Sequence, residues 1–224
     1  MNEEKKNLPT VAELFSEDIQ TAFKNEQLNL LLNQEPKKDW IKVHPFIKNY
    51  NYLPIDKIEF MLRKIFKKYS IEITGQGTAF NGVWVTVRVH YLNPVSGEME
   101  FHDGIGASQL QTKKDTSPAD LANINNGAIA MAFPLAKTVA IKDACDHFGK
   151  LFGCDLNRRD TLTFSIDESI SKKAHDEIPE EVIESLDLMT DIEGLDKYVS
   201  SLPVSFHKNP NFIALVKKRK QQLK

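Results

Sequence analysis

Only two cysteines, Cys145 and Cys154, occur among 224 residues, too few for a disulfide framework or a cysteine-based zinc site. A reducing, cytoplasmic setting is expected. No apolar stretch approaches the ~20 residues of a membrane span; Leu30-Leu31-Leu32 and Gly127 to Phe133 stop far short. The opening Met-Asn-Glu-Glu-Lys-Lys lacks the apolar run of a signal peptide, so no membrane partner is expected. Net charge is scarce too, with 29 basic residues against 31 acidic ones.

Motifs for nucleotide and metal chemistry are also missing. The string nearest to a phosphate loop, Phe148-Gly149-Lys150-Leu151, lacks the first glycine and the final hydroxyl of that motif. Gly75-Gln76-Gly77 and Gly104-Ile105-Gly106 each lack the third glycine of a dinucleotide loop and read as turns or bulges. His102-Asp103 has no companion pair at ligand spacing. Cys145 falls on the apolar arc of a helix and reads as core. Asp143 and Asp146 read as a solvated face with Lys142 and Lys150 as partners. Neither a cofactor nor a metal is expected, and with no hydrolytic constellation the chain is not expected to be an enzyme.

A 41% hydrophobic content suffices for a globular core, and charge is unevenly placed. Residues 41–159 hold 15 basic and 11 acidic side chains, residues 160–200 hold 3 and 12, and residues 201–224 hold 6 and none. This asymmetry predicts a mildly basic domain, an acidic segment and a basic tip, with boundaries at 1–39, 40–160 and 161–224. The first segment carries a predicted helix from Val11 to Leu32, expected to dock on the main domain or on a neighbouring subunit.

In the main domain, Ile58, Met61, Leu62, Ile65 and Tyr69 recur at helical spacing after Pro54-Ile55-Asp56. The lysines on that helix's outer face read as solvated. A strand at Ile71–Thr74 is followed by a much clearer one from Val83 to Leu92. Alternation turns Val83, Val85, Val87, Val89 and Tyr91 one way and Trp84, Thr86, Arg88 and His90 the other. Asn93–Gly97 is a hairpin connection, and residues 98–108 return as a strand, completing a β-meander. A long connection, 109–133, precedes a second strong helix from Pro134 to about Gly153. Loops of that length inside a domain are commonly functional or partly helical. Further helices are predicted at Pro179–Met189, Asp191–Ser200 and Pro210–Leu223.

The run Val83-Trp84-Val85-Thr86-Val87-Arg88-Val89-His90-Tyr91-Leu92, the Ser96-Gly97 turn and Phe101-His102-Asp103-Gly104-Ile105-Gly106 resemble the central hairpin of the Rad fifty-two superfamily of single-strand annealing proteins. Ala136-Lys137-Thr138-Val139-Ala140-Ile141-Lys142-Asp143-Ala144, leading to Phe152-Gly153, resembles that family's helix. Lys142-Asp143-Ala144, Phe148 to Gly153 and Asp155-Leu156-Asn157-Arg158 are closest to bacteriophage members. The likeness spans roughly residues 40–160. It implies an α+β fold, a β-β-β-α core with an antiparallel meander packed on a long helix, flanked by N- and C-terminal helical segments and assembling into rings or filaments. It also implies ATP-independent annealing of single-stranded DNA in recombination and repair, in a bacterial host cytoplasm, beside a phage exonuclease and a single-strand-binding protein.

Carried over by position, Arg88 matches the arginine of the V-R-V strand, Lys137 a basic position early in the helix, and Lys150 one a turn before Phe152-Gly153. Trp84 and the loop lysines Lys113 and Lys114 join the expected DNA contacts. Where eukaryotic members place adjacent Lys-Arg, this chain has Asp146-His147; either Lys142, Arg158 and Arg159 take over or the DNA path differs. Two readings stay open at the hairpin. Arg88 meets phosphate or bridges to Glu98, Glu100 or Asp103, and Trp84 meets DNA or packs on the long loop. A DNA-binding accessory protein of replication or repair without annealing activity is the alternative function.

Overall fold

The computed structural model describes residues 10–15, 18–45 and 47–223. In chain order they form α1 (Val11–Leu14), α2 (Ile19–Leu32), the short strands β1 (Lys42–Val43) and β2 (Asn51–Tyr52), and α3 (Ile55–Ile65). Three long strands follow, β3 (Tyr69–Ala79), β4 (Gly82–Leu92) and β5 (Met99–Gln109), and then α4 (Ala128–Asp146). The remainder is helical: α5 (Glu168–Asp176), α6 (Glu180–Leu188), α7 (Ile192–Ser201), α8 (Val204–Lys208) and α9 (Pro210–Gln222). No helix among the described residues is long and apolar enough to cross a membrane. The predicted helix over 11–32 corresponds to α1 and α2, with Ser16 and Glu17 outside the described residues.

The chain divides into two compact units, residues 27–165 and residues 1–26 with 166–224. The first is mixed α/β. β3, β4 and β5 form an antiparallel sheet in that order, and Val83, Val85, Val87, Val89 and Tyr91 all lie buried on one face. Every fourth residue of α4, from Ala128 through Ala132, Ala136 and Ala140 to Ala144, is buried in the same core. Such short side chains let the helix axis come close to the sheet.

That closeness explains two glycines. A Cβ on Gly104 would lie 2.2 Å from the Ala140 carbonyl oxygen, and one on Gly106 would lie 2.1 Å from that of Ala136. The Gly-Ile-Gly string is therefore mid-strand and not a turn. Gly75 and Gly77 also lie inside a strand, β3, where the Trp84 ring covers them; a Cβ on Gly77 would come within 2.9 Å of it. The bulge expected here is real, since the β3–β4 register shifts between Ile73 and Gly75. Thr74, the extra residue, turns its hydroxyl to that of Thr86 at 2.9 Å.

The long helix begins six residues earlier than its sequence suggests and ends sooner. Pro134 lies inside α4, where a proline forfeits one helical hydrogen bond. The alanine stripe stays in phase on both sides of it, so burial against the sheet outweighs that loss. At the far end, Gly149 at φ +119° and Gly153 at +109° adopt backbone that a continuing helix cannot, leaving a single 3-10 turn at Lys150–Phe152.

The second unit is helical. Ile19 and Ala22 pack with Ile170 and Ala174, so the N-terminal segment shares a core with the acidic one. Leu186, Leu195 and Phe212 form a further cluster. The basic tip is partly consumed within this unit: Arg219 donates to the carbonyls of Asp187 and Met189 at the end of α6, and Lys220 pairs with Asp196. Lys224 of the tip lies outside the described residues.

Candidate nucleic-acid interface

Alternation along β4 sends Trp84, Thr86, Arg88 and His90 to the sheet face opposite the buried valines, and α4 covers the valine face. The four expected contacts Trp84, Arg88, Lys137 and Lys150 therefore do not share one surface: Trp84 and Arg88 face away from α4, Lys137 is exposed on α4, and Lys150 is buried in the turn after it. Arg88 takes the ion-pair alternative. Its Nε and Nη2 donate to Asp103 Oδ1 and Oδ2 at 2.7 and 2.8 Å, and its guanidinium lies 4.0 Å from the Phe101 ring centroid. Asp103 holds the guanidinium more firmly protonated, and Arg88 in turn lowers the Asp103 carboxyl. Glu72 stands opposite Arg88 on β3 and reaches His90 at 3.1 Å. Two carboxylates thus balance one arginine, and this face is no cationic track. Trp84 packs on the glycines of β3.

Lys150 is also withdrawn. It is 8% exposed, with its ammonium 3.9 Å from Asp155. The 3-10 turn after α4 turns this residue inward, to the wall of a cleft that it shares with Asp155 and Arg158. Lys137 stays exposed on α4, and Lys113, Lys114 and Arg159 are exposed in loops.

Lys142 and Arg158 do come together. Lys142 Nζ lies 4.6 Å from the centroid of Tyr52, and its half-buried position lowers the ammonium pKa. Asn157 clamps β2 from the side: the Asn51 N–H donates to its Oδ1 at 2.7 Å and its Nδ2 donates to the Asn51 carbonyl at 2.8 Å. This fixes Arg158, which pairs with Asp155 at 3.5 Å and remains 70% exposed, beside the β1–β2 hairpin. That hairpin adds Lys42, Lys48, and the rings of His44, Tyr50 and Tyr52, with His44 6.0 Å from each tyrosine. The result is an aromatic and cationic surface at the C-terminal end of α4.

Sequence reasoning missed the hairpin's part in this surface. The available signal was the interleaving of Lys42, His44, Lys48, Tyr50 and Tyr52 within eleven residues, a mixture suited to nucleic acid. It also passed over Trp40, which meets the Phe60 ring edge-on at 5.8 Å and has Lys37 and Lys57 at 5.3 and 5.8 Å. Asp143 is not a plain solvated acid, since its Oδ2 accepts the edge-facing N–H of Ile105 at 2.9 Å and so blunts β5 as an open edge.

Asp146 lies within the electrostatic reach of Lys142 and Arg158. Although it keeps an exposed flank, local burial and the Asp143 carboxylate push its carboxyl up to about 6, against the pull of His147, Lys142 and Arg158. The folded protein therefore holds this proton more tightly than the unfolded chain does. Its contribution to stability is fully present below about pH 4 and is lost as pH rises through about 6. Asp146→Asn should remove that slope and raise the melting temperature at pH 7 by roughly 2 °C, after discounting for solvent screening. Thermal denaturation of both proteins at pH 4 and pH 7 checks this, and an unchanged difference between the two pH values would refute it.

No known family model matches the chain, and no curated protein matches its sequence.

Proposed function

We propose that this chain binds single-stranded DNA and anneals complementary strands without nucleotide hydrolysis, acting as a homo-oligomer, ring or filament, in phage-type recombination. The observation that carries the reading is the surface built by Lys142, Tyr52, Arg158 and the β1–β2 hairpin. Cations there suit a phosphate backbone, and the tyrosine and histidine rings suit bases of any sequence. Annealing needs grip without sequence reading, because the pairing edges must stay open. One copy offers few cations, and side-by-side copies multiply a weak contact.

Self-association has surface to use. Met131, Leu135 and Val139 are exposed at four-residue spacing on α4, and Met99, Phe101 and Ile105 are exposed on the outer sheet face. Apolar patches of this kind mark contact surfaces. The resemblance of the β4–β5 hairpin and α4 to the Rad fifty-two superfamily points the same way and supplies the expected companions, an exonuclease and a single-strand-binding protein in the host cytoplasm.

The test is renaturation of two complementary oligonucleotides with trace protein and no nucleotide. An annealer accelerates duplex formation and sediments as an oligomer. A protein that coats strands slows renaturation, which would favour the accessory role and refute annealing.

A further inference from the structure

β3 and β4 are joined by only two residues, Phe80 and Asn81, between the paired Ala79 and Gly82. Phe80 is 99% exposed and has φ +54°. Positive φ at the first loop position, with none at Asn81, is the pattern of a turn in which glycine is the usual occupant. A bulky side chain there is a backbone outlier, and strain of this kind concentrates at functional positions. Phe80 also leaves its whole ring in water, where a phenylalanine ordinarily contributes to a core. Two costs fall on one residue, and neither is offset by a contact within the sheet.

The surroundings indicate what the ring meets. The Asn81 carbonyl accepts the Leu110 N–H at 2.7 Å, which ties the hairpin tip to the start of the long loop. A cleft beside Phe80 is lined by Asn81, Gln109, Pro118 and Leu121. The same loop carries the exposed Lys113 and Lys114. An anchor for a protein pocket is usually encircled by near-neutral contacts that exclude water. This tip is instead two residues wide, flanked by the amides of Asn81 and Gln109 as well as by Pro118, Ala119 and Leu121, and it is hydrogen-bonded to the loop that carries Lys113 and Lys114.

We propose that Phe80 is a stacking wedge that slides between neighbouring bases of a single strand whose phosphates run past Lys113 and Lys114. The inference rests on the single-stranded DNA reading above and adds to it a second base contact, a ring inserted between bases at the β3–β4 tip. Stacking uses the π-face, which every base has, and leaves the pairing edges open.

The full chain and its Phe80→Gly variant are titrated with two fluorescent oligonucleotides of equal length, one with bases and one wholly abasic. The wild type should prefer the base-bearing strand by roughly tenfold or more, an ordinary share for one stacked base. The variant should lose roughly tenfold of that preference, leaving only what the rings of the β1–β2 hairpin supply, with an unchanged salt slope, and should melt no lower than the wild type because glycine relieves the turn. A wild type that binds both strands equally overturns the wedge and leaves DNA binding intact. A wild type that binds neither overturns both readings. A variant whose base preference is undiminished, or that loses only self-association, overturns the wedge.

Discussion

Gly106→Ala should cost the protein a large part of its folding stability, on the order of 3 kcal/mol. The added methyl would sit 2.1 Å from the Ala136 carbonyl oxygen and 2.4 Å from the Ala140 nitrogen. Both are backbone atoms of α4, so no rotamer change relieves the clash and the helix must lift away from β5. Lifting it opens the layer in which Val83, Val85, Val87 and Val89 meet the alanine stripe. For a chain of this size the loss corresponds to a fall in melting temperature of roughly 6–12 °C, measurable by calorimetry. Gly104→Ala, with its methyl 2.2 Å from the Ala140 carbonyl oxygen, should behave alike. Gly97→Ala is the control. A Cβ there meets nothing within 4 Å, and only its φ of +73° is unfavourable, so its cost should be about 1 kcal/mol. If the Gly106 and Gly97 variants melt together, α4 does not approach β5 as described.

The second large effect concerns DNA and follows from the proposed function. Replacing Lys142 and Arg158 together by alanine should weaken single-stranded DNA binding by roughly tenfold to a hundredfold, since loss at one subunit is repeated along the assembly. The plot of log affinity against log salt should flatten by about 1.4, or ~0.7 for each phosphate contact removed. Arg88→Ala should leave that slope unchanged, because its guanidinium is already engaged by both oxygens of Asp103. Lys150→Ala should leave it unchanged too, because the ammonium is buried beside Asp155. Binding by anisotropy across a salt series separates these cases. A slope that responds to Arg88 and ignores Lys142 and Arg158 would move the interface to the outer face of the sheet.

Patterns set by near neighbours in the chain were legible without coordinates. Strict alternation in β4 (Gly82–Leu92) marked both its extent and its buried face, and the predicted helices at 179–189, 191–200 and 210–223 match α6, α7 and α9 within a few residues. These elements are set by periodicity and by caps such as Asp191 and Asn209, whose hydrogen bonds span two or three residues. What depended on distant residues was not legible. Gly75-Gln76-Gly77 and Gly104-Ile105-Gly106 read as turns or bulges, and why glycine is needed at these strand positions shows only once Trp84 and α4 are seen to lie across them. Pro134 looks like a helix start until the alanine stripe is found buried on both sides of it.

The candidate interface divides in the same way. The family resemblance pointed to Arg88, Lys137 and Lys150 by position, and charge type is a property of single residues that the sequence shows directly. Which cations remain available was decided by tertiary partners: Asp103 holds Arg88, Asp155 holds Lys150, and Tyr52 with the Asn51–Asn157 clamp brings Lys142 and Arg158 to one side of the fold. Pairing energies depend on distance in space, which separation along the chain does not report.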